Sequence, residues 1–346
     1  MAMSGWRVSG FLWILLLVTN LAAESVKVDL SEVDERCPIK VKQDENWIAV
    51  TWSTDRGHPP DPAVLTISRD PSRPLFANLQ IASEPPNVLA RPARTWLLAQ
   101  DFDPQFVITT GSRKTQPGNR FTFFDSPASR ATQRFVAKLD LKEIKVKTDS
   151  YGALTVTCST LSAGLFSGAL KIHFYQGSPL IHIEAAMSQK EENVAYIYDG
   201  LLTGQFKSIV WIDPANRTMR EVPRGEMKPV AVRWRAIMAE QEKGSIAVFP
   251  PPHSWFFPRD RTDNLRFAQL GAAGFGLRQD PTGGGAFVPW FDAPAGKTLR
   301  AWRQESGGNA ATPCTRCAGS SCSCSAEREK IFIRNYEPLS KFDGEY

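Results

Sequence analysis

The chain has 346 residues, of which 41 are basic and 36 acidic, giving a formal net charge of +5. This length allows one large or two ordinary domains, and such a chain buries a substantial core without covalent cross-links. The basic residues are spread along the chain without a Lys/Arg run that could follow a phosphate backbone, so nucleic acid is not an expected partner.

The N-terminus has the order of regions found in a secretory signal peptide. Arg7 supplies a positive charge, residues 11–18 (FLWILLLV) are apolar, and small or polar residues follow up to Ala23. This apolar run is too short to span a bilayer, and no later segment approaches the ~20 apolar residues of a membrane helix. We therefore expect residues 1–23 to be a signal peptide, with an uncleaved anchor as the alternative. The mature protein is expected to be secreted or periplasmic, without a membrane span.

Short runs rich in Val, Ile, Thr and aromatic residues, separated by turn-forming residues, dominate the mature chain. Alternation at period two predicts short β-strands, and the sequence shows no apolar stripe of helical period. The 25 prolines also disfavour long helices. The sequence thus predicts an all-β protein built as an antiparallel β-sandwich or barrel. The clearest strand signals are residues 47–53, 64–68, 106–110, 134–139, 144–147 and 154–161.

Changes in composition divide the chain after the signal peptide into three predicted regions. Prolines interrupt the strands between residues 54 and 132, which favours a smaller N-terminal β region over residues 24–134. A denser run of strands predicts a β-sandwich domain over residues 135–300. Residues 301–346 are polar and rich in cysteine, and we expect no strands after Arg300. This irregular tail is either a genuine appendage or the product of a reading-frame change that replaces a longer C-terminal part.

The strongest local signal is a β-hairpin over residues 168–187. Two alternating strands flank residues 176–179, and a loop closed by Tyr175 and Leu180 sets their register. A slip by one residue would expose the apolar face, so the alternation specifies this register. It pairs Phe174 with Ile181, Ile172 with Ile183 and Leu170 with Ala185 on the apolar face, and His173 with His182 and Lys171 with Glu184 on the other face. Strands at residues 194–202, 209–212, 231–238 and 244–249 are expected to continue the same antiparallel meander.

The polar face of this hairpin is a candidate metal or proton-transfer site. Two imidazoles opposite each other, His173 and His182, with the Glu184 carboxylate one pair away, supply the groups for either role. The alternative is a solvent-facing polar surface with an ion pair between Lys171 and Glu184, since a half-exposed sheet carries polar residues there in any case.

A Pro-bounded stretch, residues 249–264 (FPPPHSWFFPRDRTDN), combines aromatic rings with charged groups. This combination suits sugars, whose C–H faces stack on rings while their hydroxyls bond to polar side chains. Alternatively, the rings close the end of the sandwich and the charged groups are solvated. The candidate binding residues are Trp255, Arg259 and Asp260 of this stretch, with His253 as the candidate catalytic group, and Arg233 and Arg235, which alternate on the preceding predicted strand.

The six cysteines fall into two groups. Cys37 and Cys158 are isolated and either pair or stay free. The other four are able to ligate zinc, although export favours disulfides. We expect no cofactor, since P-loop and dinucleotide fingerprints are missing from the sequence. The clustered cysteines are Cys314, Cys317, Cys322 and Cys324.

Two parts of the sequence resemble a known group. The hairpin segment, residues 170–185 (LKIHFYQGSPLIHIEA), is similar to secreted bacterial proteins with galactose-mutarotase-like or polysaccharide-lyase-like β-supersandwich domains. Residues 232–235 (VRWR), 249–253 (FPPPH) and 257–260 (FPRD) resemble one uncharacterised group of this kind, over about residues 135–300. The resemblance implies a supersandwich fold and carbohydrate contact on the concave sheet face. The catalytic His and Glu of that superfamily have no matching positions here.

Together these features predict an exported carbohydrate-binding or carbohydrate-processing protein. Whether it is an enzyme is left open; an enzyme of this kind would be a polysaccharide lyase or a glycoside hydrolase. His253 would then transfer protons, because imidazole changes charge near neutral pH, while Arg235 and Arg259 would hold an acidic sugar and Trp255 would stack on it. The alternative is a non-catalytic structural or interaction domain of a larger envelope protein, with the aromatic stretch packed against a neighbouring domain.

Overall fold

The computed structural model describes residues 26–54, 62–83, 94–112, 131–234, 236–242, 244–249, 266–278, 291–293, 298–301 and 330–335. This part of the chain contains strands and turns and no helix, which confirms the predicted all-β class. Accordingly, it offers no helix long and apolar enough to pass through a membrane.

The strands follow one another along the chain with short turns between many of them. β3 and β17 have the bounds that the alternation predicts, and β12 extends one residue beyond the predicted range. In chain order they are β1 (Lys27–Glu32), β2 (Lys40–Gln43), β3 (Trp47–Ser53), β4 (Pro62–Ser68), β5 (Phe76–Ser83), β6 (Arg94–Ser112), β7 (Thr132–Val136), β8 (Lys138–Thr148), β9 (Leu154–Ala163), β10 (Phe166–Phe174), β11 (Leu180–Ser188), β12 (Val194–Thr203), β13 (Ser208–Ile212), β14 (Thr218–Glu221), β15 (Lys228–Val230), β16 (Ile237–Glu240), β17 (Gly244–Phe249), β18 (Ala268–Gly271), β19 (Gly274–Leu277), β20 (Phe291–Ala293), β21 (Thr298–Ala301) and β22 (Lys330–Asn335).

The strands form two eleven-stranded sheets. The first has the order β1-β8-β9-β10-β11-β22-β17-β16-β13-β14, with β21 also paired to β11. The second has the order β15-β18-β19-β12-β6-β5-β4-β3-β2, with β20 paired to β12 and β7 to β6. Strands on both sides of the predicted division at residue 134 share sheets, because β1 pairs with β8 in parallel and β6 pairs with β12 antiparallel.

One hydrophobic core contains side chains from both sheets, as a sandwich requires. Trp52 of the second sheet meets Phe174 of the first edge-on, with ring centroids 5.0 Å apart. Phe166 and Tyr196 make a similar contact between β10 and β12, at 5.9 Å. Alternate residues of β3 point into this core, and Ile48, Val50 and Trp52 are at most 1% exposed.

The predicted hairpin is confirmed, with the register that the alternation specifies. β10 and β11 pair Phe174 with Ile181, Ile172 with Ile183 and His173 with His182. Two hydrogen bonds attach the turn between these strands to the C-terminal end of β3. The Trp52 indole N–H donates to the Ser178 carbonyl at 3.0 Å, and the backbone N–H of Gly177 donates to the Ser53 carbonyl at 3.0 Å. The hairpin therefore joins the two sheets as well as contributing to one of them.

Three expectations about the later strands are wrong. β12 does not continue the meander of β10 and β11, because it crosses to the second sheet and pairs with β6 and β19. Residues 231–234 are not in a strand, and β16 begins only at Ile237. The strands also do not stop at Arg300, because β22 in the tail pairs with both β11 and β17.

The two isolated cysteines are both buried, and they stay free rather than forming a disulfide. Cys37 lies next to the Gly152 carbonyl, with its sulfur 3.7 Å from the oxygen. Cys158 is part of the core on β9, and burial raises the pKa of its thiol to about 12. The clustered tail cysteines lie outside the described residues.

Candidate functional site

The predicted binding surface of residues 233–264 lies largely outside the described part of the chain. Arg233 is described and exposed, and its backbone N–H donates to the Ile212 carbonyl at 2.8 Å. Its guanidinium lies 5.3 Å from the ring centroid of Trp234, which is 60% exposed. Arg233 and Arg235 were expected to alternate along a strand. This expectation is wrong for Arg233, because residues 231–234 do not form a strand. The predicted residues that lie outside the described part are Arg235, His253, Trp255, Arg259 and Asp260.

The hairpin brings together the other predicted set, His173, His182 and Glu184, which we call the His–His–Glu cluster. The Nε2 atom of His173 lies 3.3 Å from Oε1 of Glu184, and Nε2 of His182 lies 3.9 Å from Oε2 of the same carboxylate. The two imidazoles are stacked, with centroids 4.7 Å apart and planes 17° from parallel. One potential ligand atom from each of the three residues lies within 4.8 Å of the others.

A threonine on the neighbouring strand orients the first imidazole. Thr155 of β9 is the register partner of His173, and its Oγ1 lies 2.8 Å from Nδ1 of the ring. This contact directs the opposite ring nitrogen, Nε2, toward the carboxylate of Glu184. Sequence reasoning missed Thr155, although the register between β9 and β10 would have identified it.

The cluster is largely buried, so the alternative interpretation as a solvent-facing polar face is wrong here. The side chain of Glu184 is 2% exposed, that of His182 is 7% exposed and that of His173 is 18% exposed. The cause is that β11 is buried on both faces along almost its whole length. A buried carboxylate is strongly unfavourable unless polar or positive groups accompany it, and here the two imidazoles do so.

A second site, which the sequence analysis did not single out, lies on the open face of β3, β4 and β5. It is a groove of about 650 Å³ in which the indole of Trp47 lies among mostly polar side chains. The alternation of β3 indicated this site, because Trp47 points to the face of the strand opposite to that of the buried Ile48. We call this site the Trp47 groove; its polar lining consists of Asn46, Thr66, Ser68, Asp70, Arg73, Asn78, Gln80 and Asp101.

Hydrogen bonds fix several groups of this groove before any ligand arrives. The carboxylate of Asp44 accepts from the backbone N–H groups of Asn46 at 2.7 Å and Trp47 at 3.0 Å, which holds the turn before β3. The Thr66 hydroxyl donates to Oδ1 of Asn78 at 2.9 Å across β4 and β5. That bond leaves the amide N–H₂ of Asn78 directed away from Thr66.

Asp70 supplies a negative charge at one end of the groove. Its carboxylate accepts hydrogen bonds from the hydroxyl and the backbone N–H of Ser72, and these bonds lower the pKa of Asp70 below its ordinary value. The carboxylate therefore stays ionised at neutral pH. The exposed Arg73 lies 3.6 Å from it, so the two charges partly compensate.

Comparisons with known proteins assign neither a family nor a relative. No family model matches the chain, and no curated protein matches it. The described residues define an all-β sandwich that carries a buried His–His–Glu cluster and an open polar groove.

Proposed function

We propose that this protein is a carbohydrate-binding β-sandwich and that a glycan occupies the Trp47 groove. The observation that carries the proposal is the combination, in one open concavity, of an indole with side-chain amide, hydroxyl and charged groups. Its volume of about 650 Å³ falls within the ~300–1,000 Å³ typical of small-molecule sites.

The chemistry of the lining suits a sugar better than a wholly apolar ligand. An indole offers a flat face for the C–H groups of a pyranose ring, and burying that face contributes hydrophobic free energy. The amide of Gln80 both donates and accepts, as sugar hydroxyls do. Asn78 offers its N–H₂ group as a donor and Thr66 its hydroxyl oxygen as an acceptor, because their other groups bond to each other. The carboxylate of Asp44 fixes the backbone of Trp47, which reduces the backbone entropy lost on binding.

The charges of the groove favour a neutral glycan over a uronic acid polymer. The lining includes two carboxylates, of Asp70 and Asp101, and one guanidinium, of Arg73. A polyanion would therefore meet no excess of positive charge there. This differs from the acidic sugar predicted for the surface around Arg259, which lies outside the described residues.

The proposal is tested by measuring the binding of the full chain to a panel of neutral and uronate polysaccharides, with affinity electrophoresis followed by calorimetry. We expect Trp47→Ala to weaken binding by about tenfold or more, because an aromatic contact contributes ~0.5–1.5 kcal/mol beyond its buried area. Trp234→Ala is the matched control, since Trp234 is 60% exposed and is not among the residues that line the groove.

Thermal unfolding of each variant separates a binding defect from a folding defect, and Asn78→Ala provides a second variant on the floor of the groove. Equal binding by the Trp47→Ala and Trp234→Ala variants would overturn the proposal, as would the failure of every glycan to bind. Loss of binding in Trp255→Ala, with binding intact in Trp47→Ala, would assign the glycan to residues 233–264 instead.

A further inference from the structure

We propose that the His–His–Glu cluster binds a divalent transition-metal ion, with zinc as the ion that its donors suit best. The donors are two imidazole nitrogens and one carboxylate, of His173, His182 and Glu184. Two histidines with a carboxylate form a known type of three-ligand zinc site, in which the fourth position holds water or another ligand. This site is separate from the Trp47 groove and does not depend on glycan binding.

One of the distances between donors already equals the distance that a metal ion requires, and the others are longer. Tetrahedral zinc with bonds of ~2.0–2.1 Å places its ligand atoms about 3.3 Å from one another. Nε2 of His173 and Oε1 of Glu184 are 3.3 Å apart, and Nε2 of His182 and Oε2 of Glu184 are 3.9 Å apart. The three potential ligand atoms span up to 4.8 Å, and the two imidazoles are stacked. Metal binding therefore requires the imidazoles to turn out of the stack until both Nε2 atoms face one ion, while the paired strands hold the three backbone positions.

The Thr155 hydroxyl supplies the outer contact that histidine ligands of metals commonly have. When Nδ1–H of His173 donates to Thr155, the Nε2 lone pair faces the carboxylate of Glu184. Two lone pairs in that position repel each other, and a cation between them turns the repulsion into attraction. Outer hydrogen bonds of this kind fix the tautomer and the orientation of the ring. The alternative is a proton on Nε2 that donates to Glu184, with no metal bound.

The surroundings also favour a cation. The side chain of Glu184 is 2% exposed, and Coulomb attraction strengthens where water is excluded. The strand ladder fixes the three backbone positions, because His173 and His182 are direct register partners and Glu184 follows on β11. His173 is the most exposed of the three, so we expect the ion and its fourth ligand to approach from its side.

The test measures zinc and cobalt binding to the purified full chain after treatment with a chelator. The tail cysteines are also potential zinc ligands, so all four are changed to Ser in the background protein. We expect that background to bind one zinc ion per chain by mass spectrometry of metal content. With cobalt it should show the intense visible absorption of a four-coordinate site. His173→Gln and Glu184→Gln should each weaken zinc binding about 100-fold or more, and Glu143→Gln, at an exposed carboxylate of the same sheet, is the control.

Thr155→Val tests the outer contact without removing a ligand. We expect it to weaken zinc binding by about 10–100-fold while the cobalt spectrum keeps its four-coordinate form, which a misfolded chain would not do. Absence of zinc and cobalt binding in the background protein would overturn the proposal. So would zinc affinity that is unchanged in both His173→Gln and Glu184→Gln.

Discussion

The contact between Trp52 and the hairpin turn allows a direct test of how the two sheets are held together. Trp52 is 1% exposed, its indole N–H donates to the Ser178 carbonyl at 3.0 Å, and its ring packs edge-on against Phe174. Trp52→Phe keeps an aromatic ring at this position but removes the donor and one of the two fused rings. The loss is therefore confined to one hydrogen bond and part of one packing contact.

The expected loss follows from these two contributions. A buried polar group left without its partner costs ~1–3 kcal/mol. Because the Ser178 end of this bond is only part-buried, water can replace the donor and the lower value of about 1 kcal/mol applies. The smaller ring leaves a cavity in the core, which adds ~1–2 kcal/mol. We expect Trp52→Phe to lower the free energy of unfolding by about 2–3 kcal/mol.

Urea unfolding followed by far-ultraviolet circular dichroism measures this loss, whereas fluorescence would mix the signals of ten tryptophans. Trp234→Phe is the control, because Trp234 is 60% exposed and such a surface change stays within ~0.5 kcal/mol. If the two variants lose the same free energy, or if Trp52→Phe loses less than ~0.5 kcal/mol, the indole does not couple the sheets.

Two further predictions concern titratable groups. Burial raises the pKa of Asp103 in the folded protein above its ordinary value. The free energy of unfolding therefore falls as the pH rises from the ordinary aspartate pKa through this raised pKa. Asp103→Asn keeps an oxygen that accepts from the Leu75 N–H but carries no titratable group. Its free energy of unfolding in urea, relative to the unmodified protein, should therefore increase as the pH is raised from about 3 to about 7. A difference that does not change with pH would contradict this. Burial also raises the pKa of the Cys158 thiol to about 12. Iodoacetamide should then label Cys158 in urea but not in the folded protein, as read by peptide mass mapping, and labelling of the folded protein would show that the thiol is accessible.

The parts of the fold that were predicted from sequence are those that local alternation specifies. In the hairpin, apolar residues at every second position allow one register, and the observed pairs of Phe174 with Ile181 and of Ile172 with Ile183 match it. The bounds of β3 and β17 follow from the same signal, since turn residues flank each run. These are short-range properties, and each is encoded within a few residues.

Alternation does not specify which strand a segment pairs with, and the errors arise there. β12 has the period of a strand that could follow β11 in the same sheet, but it crosses to the second sheet and pairs with β6. β22 pairs on both sides, with β11 and β17, although its neighbours in the sequence are polar. Such pairings depend on residues far away in the chain, so a local reading of periodicity does not contain them.

The burial of the His–His–Glu cluster was also missed, but β11 carries a signal of it. His182, Glu184 and Ala186 lie on the same face of β11. If that face were exposed to solvent, the third position would be expected to be polar, but it is an alanine that is 6% exposed. A strand covered on both faces has no need of charged side chains, because apolar residues of similar size stabilise a core as well as a buried charge pair or better. Polar groups at such positions are therefore better explained by a ligand than by stability. On this reasoning the two imidazoles and the carboxylate, rather than the exposed charges of the surface, are the residues of this hairpin that a metal ion would require.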